Sequence, residues 1–163
     1  MSNRFWLVGD ASGLRLSHFI GDDRRMSFVT QSHIRIYKDS PESEFAKISY
    51  ELLPDSRDDA KRGLYVLVRT ESPNAFDPDE RDPFEKKYEL LRGIKSLTFS
   101  YYKWDQDKFK IQKNWDNERD EFKNIYPDVI EMKLNMEGEE RVFFEGTFKF
   151  KPEFPFYGIP ARI

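Results

Sequence analysis

The sequence predicts a mainly β protein built from antiparallel strands, and three observations carry that expectation. Apolar and polar residues alternate with period two in several separate segments. The chain holds 15 Phe, 8 Tyr and 3 Trp without a matching wealth of Ala and Leu, a bias toward pleated, half-buried surfaces. Helical signal is weak, because no window of about a dozen residues sustains an apolar stripe at i, i+3, i+4 and i+7 behind a capping residue. With 163 residues, the chain suits one domain with a real core, residues 1–163.

Residues 3–20 are ambiguous. Phe5, Trp6, Leu7 and Val8 fit either the end of a helix or a short strand, and Gly9-Asp10 and Ser12-Gly13 read as turns. From Met26 to Ile36 one set of alternate residues (Met26, Phe28, Thr30, Ser32, Ile34, Ile36) faces away from the other. Asp39-Ser40-Pro41-Glu42-Ser43 makes a loop. Ala46, Ile48, Tyr50 and Leu52 alternate with Lys47, Ser49 and Glu51, the pattern of a strand with one wet face. A turn at residues 54–59 follows. Leu64–Thr70 is apolar on both faces, as a central strand is.

Residues 72–85 hold three prolines and five acids and read as a loop. Tyr88–Leu91 begins a short strand that Gly93 punctuates. Leu97, Phe99 and Tyr101 then share one face, with Thr98 and Ser100 on the other. Trp104–Ile125 is a polar insert that carries Trp104 and Trp115 and wraps back over the sheet. Ile130, Met132, Leu134 and Met136 alternate with Glu131, Lys133 and Asn135. Glu137-Gly138 reads as a hairpin turn. Val142, Phe144, Phe148 and Phe150 are expected to face inward, with Glu145, Thr147, Lys149 and Lys151 outward. Gly146 on the inner face suits a bulge or a close neighbour. The tail, with Pro152, Pro155 and Pro160, reads as irregular.

Sequential strands with short connections favour antiparallel pairing. One face of such a sheet needs a cover. The sequence leaves two architectures open: a small β-sandwich, or a sheet whose helical spine is mostly missing.

Charge excludes some functions. The net charge of −3, from 27 basic and 30 acidic side chains, lacks the clustered basic face that nucleic acid or an anionic membrane requires. The densest basic pairs, Arg24-Arg25 and Lys86-Lys87, have acidic neighbours and read as solvated faces. Without cysteine, disulfides and thiolate metal sites are impossible. No apolar run approaches the ~20 residues of a membrane span, and no signal-peptide core is visible.

Catalytic and metal motifs are weak. His18 and His33 are the two histidines. Ser32 and His33 are strand neighbours, so their side chains point to opposite faces and cannot form a nucleophile–base pair. Paired carboxylates for glycoside hydrolysis arise by chance among 30 acids. Asp105, Asp107, Asp116 and Glu118, and separately Asp77, Asp79, Glu80 and Asp82, supply oxygen ligands of the kind calcium uses, without the spacing of an EF-hand loop. Solvated loops account for both groups. No glycine-rich phosphate loop or zinc-protease motif is present. Tyr101, Tyr102, Trp104 and Trp115 fit either a sugar-stacking platform or ordinary packing at the edge of a core. No catalytic, cofactor-binding or metal-ligating residue is assigned, and no cofactor is expected.

Several segments resemble, in order, the GspJ-type minor pseudopilins of bacterial type II secretion systems. Phe19-Ile20-Gly21 followed by Met26-Ser27-Phe28-Val29 is similar to the family's F-x-G…L-x-F pattern. S-H-I-R-I-Y-K-D-S-P-E-S-E-F-A-K-I-S-Y-E-L at residues 32–52 resembles its S-H-x-R tetrad preceding E-S-D-L-x-E-I-x-Y. Leu67-Val68-Arg69-Thr70-Glu71, then Leu90-Leu91-x-Gly93-Ile94-x-x-Leu97-x-Phe99-x-Tyr101-Tyr102, then Trp115, then Tyr126-Pro127-x-Val129-Ile130-x-Met132-x-Leu134 continue the family order to about residue 150. Family members begin with a prepilin peptidase site and a long apolar helix, and neither stands in this sequence. Residues 1–18 read as the stub of that helix or as a flank.

The resemblance implies a pseudopilin-like domain, mainly β here and α+β at full length. It implies a non-enzymatic role in a complex at the pseudopilus tip, with I-, K- and H-like minor pseudopilins as partners. The domain would lie on the periplasmic face of the inner membrane, touching the membrane only through the missing helix. A rival reading is an extracellular β-sandwich module that recognises glycans through exposed aromatics. A hydrolase with paired acids ranks last.

Overall fold

The computed structural model describes residues 18–30, 45–57, 63–73, 84–123, 125–138 and 143–152, together with the backbone of 7–10 and 13–16. The strands are β1 (Leu7–Asp10), β2 (Gly13–Leu16), β3 (Phe19–Gly21), β4 (Arg25–Thr30), β5 (Ala46–Pro54), β6 (Tyr65–Ser72), β7 (Lys86–Asp105), β8 (Lys108–Gln112), β9 (Trp115–Asp116), β10 (Val129–Glu137) and β11 (Phe143–Phe150). One 3-10 turn spans Asp120–Phe122. Every pairing is antiparallel. Among the described residues no helix is long and apolar enough to cross a membrane.

β1 and β2 form their own two-stranded ladder, with Asp10 opposite Gly13. Leu7 and Val8 are therefore strand, and the reading of residues 1–18 as a helical stub does not hold for this stretch. Gly9-Asp10 and Gly13 belong to the strands as well, so the connection falls between them. Phe5 and Trp6 lie outside the described residues.

The remaining nine strands make one sheet in the order β11-β10-β7-β6-β5-β4-β3-β9, with β8 on β7. β5 buries Ala46, Ile48 and Leu52 and exposes Lys47 and Glu51, as its alternation predicts. β6 buries consecutive Val66, Leu67 and Val68 because it sits between β5 and β7. β4 ends at Thr30, and residues 31–36 of its predicted run lie outside the described residues. Ser27 and Val29 are buried along with Phe28 and Thr30, so this strand is covered on both sides.

β7 differs from expectation. Instead of a short strand broken at Gly93, one continuous strand runs from Lys86 to Asp105. Gly93 takes φ +72, and the ladders shift register beside it, between Asn135 and Met136 on one side and between Tyr65 and Leu67 on the other. A left-handed glycine in a ladder marks a bulge, which bends a strand without ending it. The bend hands β7 from β6, paired up to Ile94, to β10, paired from Ile94 to Tyr102.

The sheet curls. β6 leaves the edge of β7 at Ile94 and β8 joins that edge only at Tyr101. The β3–β4 turn fills part of the interval: the N–H of Phe99 donates to the carbonyl of Asp23 at 2.9 Å, and the hydroxyl of Tyr101 donates to that of Asp22 at 2.9 Å. Residues 104–125 are not a plain polar insert. β8 extends β7, and β9 crosses to pair with Gly21 and Ile20, so the segment does wrap back and carries the sheet's far edge.

The core fills this curl. Phe19, Tyr101 and Trp115 are essentially sealed. Phe19 meets Tyr101 edge-on at 6.0 Å and Tyr126 at 5.9 Å, and Trp115 stacks on Phe122 at 4.3 Å. The indole N–H of Trp115 donates to the carbonyl of Ile125 at 2.9 Å, which satisfies the one polar atom of a buried indole.

β11 overturns another expectation. It pairs with β10, Glu137 opposite Phe143 and Ile130 opposite Phe150, so the hairpin forms as predicted. Its alternation is also right: Phe144, Phe148 and Phe150 lie on the side of Met136, Met132 and Ile130. They are nevertheless 47%, 40% and 48% exposed. The core cluster runs from β3 and β9 across to β10, and among the described residues nothing covers the β11 margin. Val142 lies outside the described residues.

Candidate docking surface

Of the acids Asp105, Asp107, Asp116 and Glu118, Asp105 and Asp116 form ion pairs and Glu118 meets a histidine. Asp105 pairs with Lys110, and that ammonium holds the Asp105 carboxyl below the usual carboxylate range. Asp116 takes the guanidinium of Arg119 at 3.0 Å. Glu118 meets His18 at 2.7 Å. Among the described residues no three His, Cys, Asp or Glu side chains come together as a metal-holding group. Asp77, Asp79, Glu80 and Asp82 lie outside the described residues, as do Ser32 and His33.

His18 does join a serine and an acid, though not the serine beside His33 in the sequence. Its Nδ1 lies 2.7 Å from Oε1 of Glu118 and its Nε2 lies 3.1 Å from Oγ of Ser27. No local motif announces this trio, because His18 and Glu118 are 100 positions apart. The connectivity is that of a hydrolytic triad, but the setting is not. Ser27 is buried in mid-ladder, opposite Ile20 on one side and Ser49 on the other. Strand amides there are committed to interstrand bonds, whereas an acyl-transfer serine needs free donors aimed at a developing oxyanion. The trio acts as a clasp that ties β3 and β4 to the chain after β9.

A cleft of about 630 Å³ opens between the β3–β4 turn and β9, with Gly21, Asp22, Lys113, Trp115, Arg119 and Phe122 among its walls. Its charged side chains include the Asp116–Arg119 pair, and no serine, threonine, cysteine or histidine stands among its described lining residues.

The four aromatics of the proposed platform are separated. Tyr101 and Trp115 are core residues. Tyr102 and Trp104 sit on the opposite face of β7, where β8 adds two residues that the sequence reading left in a polar insert: Ile111 opposite Tyr102, and Phe109 opposite Trp104. Trp104 packs edge-on against Phe109 at 4.7 Å, and Tyr102 does so at 6.1 Å. Trp104, Phe109 and Ile111 are all largely exposed. The period-two spacing of Phe109 and Ile111 is visible in the sequence, but the two alternate with Lys108 and Lys110 inside a segment that reads as a polar insert.

This patch has a firm base. The Trp104 N–H donates to Oδ2 of Asp128 at 2.6 Å. Buried Glu131 lies beneath, with Lys133 and Lys149 at 3.6 and 3.5 Å and Lys149 over the Tyr102 ring. Burial pushes the Tyr102 phenol up, and its hydrogen bond to Glu131 adds to that shift. Aromatic rings on a fixed hairpin, beside the charged cluster of Lys133, Glu131 and Lys149 on the same face, give an apolar patch with a charged neighbour. That composition suits recognition of another surface. Set against known proteins, the chain matches no family model and no curated protein.

Proposed function

We infer that this chain is the globular domain of a GspJ-type minor pseudopilin, a part that works by docking to sibling subunits. The colinear motifs of residues 19–150 support the reading, and the all-antiparallel sheet is compatible with it. The observation that carries docking is the exposed Trp104–Phe109–Ile111 patch on the β7–β8 hairpin. Aromatic anchors on a rigid hairpin lose little conformational entropy when buried by a partner, and such anchors supply most of the binding energy in protein interfaces. In this reading the domain sits at the periplasmic face of the inner membrane, and a preceding apolar helix anchors it.

The test is co-elution. The full-length protein, with its membrane helix in detergent, is mixed with the I- and K-like pseudopilin domains of its own operon. A shared, earlier peak is expected. Separate elution at tens of micromolar removes the reading.

The same patch favours one alternative, a module that stacks glycans on its aromatics. Saturable quenching of Trp104 emission by an oligosaccharide, with no sibling binding, would select it.

A further inference from the structure

The edge of β11 carries a second, independent signal. β11 ends the sheet order and, among the described residues, pairs with β10 alone. Its other backbone edge is eight residues long. Natural edges of that length are usually blunted by a bulge, a proline or an inward charge. Here Pro152 stands just past the end of the strand, and within it the only charges are Glu145 and Lys149.

We propose that β11 pairs antiparallel with β11 of a second copy of this chain, about a two-fold axis through Thr147, so that one sheet continues through a homodimer. A two-fold interface must be self-complementary, and an axis normal to the sheet must keep each face on its own side. Centring on Thr147 meets both demands. Glu145 then faces the partner's Lys149, and Lys149 faces the partner's Glu145. On the other face Phe144 stands opposite the partner's Phe150, and Gly146 opposite the partner's Phe148.

Neighbouring registers are poorer. Centring on Gly146 sets Glu145 against the partner's Thr147, and centring on Phe148 sets Lys149 against the partner's Thr147. Neither matches the charges. Opposite charges and aromatic pairs directly across a ladder are favourable contacts, and an aromatic facing an edge glycine covers its bare backbone. Within one chain the Phe144 and Phe148 rings already stack at 6.4 Å, closing over Gly146. A Cβ on Gly146 would stand 2.9 Å from Phe144 and 3.0 Å from Phe148. The pairing would extend this phenylalanine row across the dimer. It also closes the edge, whereas a non-symmetric contact would propagate into fibres.

The inference does not depend on the pseudopilin reading, and no sibling protein enters its test. Sedimentation equilibrium of the full chain across a thousandfold concentration range should show a mass rising to twice that of the chain and no further. Glu145→Lys sets lysine against the partner's Lys149 and should raise the dimer Kd at least tenfold. Glu145 is an exposed position, and far-UV circular dichroism checks that the variant folds. The chain has no native cysteine, so Thr147→Cys gives a single thiol at the axis. It should form a disulfide-linked dimer under mild oxidation, whereas Glu145→Cys should link only when mixed with Lys149→Cys. A monomer at every concentration overturns the proposal, as does an open-ended rise in mass. So does a dimer that Glu145→Lys leaves intact or that Thr147→Cys fails to link.

Discussion

Tyr101 shows how single residues hold this fold together. It belongs to β7, yet its hydroxyl serves the β3–β4 turn through the carbonyl of Asp22. A Cβ placed on Gly21 would run into that hydroxyl, so Gly21 is the gap through which the phenol reaches its acceptor. Gly21→Ala should destabilise the protein by about 1–3 kcal/mol, the usual cost of overpacking. Tyr101→Phe removes a hydrogen bond to a half-buried carbonyl and should cost about 0.5–1.5 kcal/mol. Chemical denaturation of both variants measures these losses. Burial pushes the Tyr101 phenol far above its ordinary value, and the charges of Asp22 and Asp23 add to this. The folded chain therefore keeps a proton that the unfolded chain releases near pH 10. Stability from this group is intact below about pH 10 and falls as pH rises beyond it. Thermal unfolding between pH 8 and 11 should show the decline starting there. Tyrosinate absorbance from Tyr101 should appear only with unfolding.

At the level of elements, β7 decides the architecture, and Gly93 decides β7. A Cβ at Gly93 would stand 2.8 Å from the carbonyl oxygen of Glu137, at a φ of +72 that side chains resist. Gly93→Ala should cost about 1–3 kcal/mol for the strained backbone alone, measured by denaturant midpoint. Much of the element pattern was legible in the sequence. The strands at 46–54, 65–72 and 129–137 follow from period-two alternation and from the β-branched, two-sided apolar run. Gly93 was visible too, but glycine marks both strand ends and bulges, and only a partner strand on each side tells them apart. β8 was hidden because its apolar residues alternate with lysines in an exposed hairpin. The inward assignment of Phe144, Phe148 and Phe150 was correct for the face and wrong for burial. Alternation reports which side a residue takes, while the curl of the sheet reports whether that side is covered. Of the candidate site, the sequence showed the tryptophans but not their division into core and surface. That division follows from parity along β7: Tyr101 points into the curl and Tyr102 and Trp104 away from it. The Ser27–His18–Glu118 clasp had no local signal at all.

For the whole molecule, the curl encloses a core that runs from β3 to β10 and, among the described residues, leaves two apolar margins exposed, β11 and the β7–β8 hairpin. Trp115 is sealed and Trp104 is open, so the two should separate cleanly in solution. In a Trp6→Phe background, acrylamide should quench a red-shifted component that Trp104→Phe removes, and leave a blue-shifted component that Trp115 supplies. The exposed aromatic hairpin patch and, among the described residues, the unpaired edge of β11 are the features on which the two proposals rest. The proposed docking is tested most directly by the affinity of the protein for the I- and K-like pseudopilin domains that the proposal names as partners, compared with that of a Trp104→Ala, Phe109→Ala double variant. Micromolar or tighter binding by the parent is expected, with a loss of at least tenfold, about 1.4 kcal/mol, in a variant that remains folded. Equal affinity in the two proteins, or no binding by either, would contradict it.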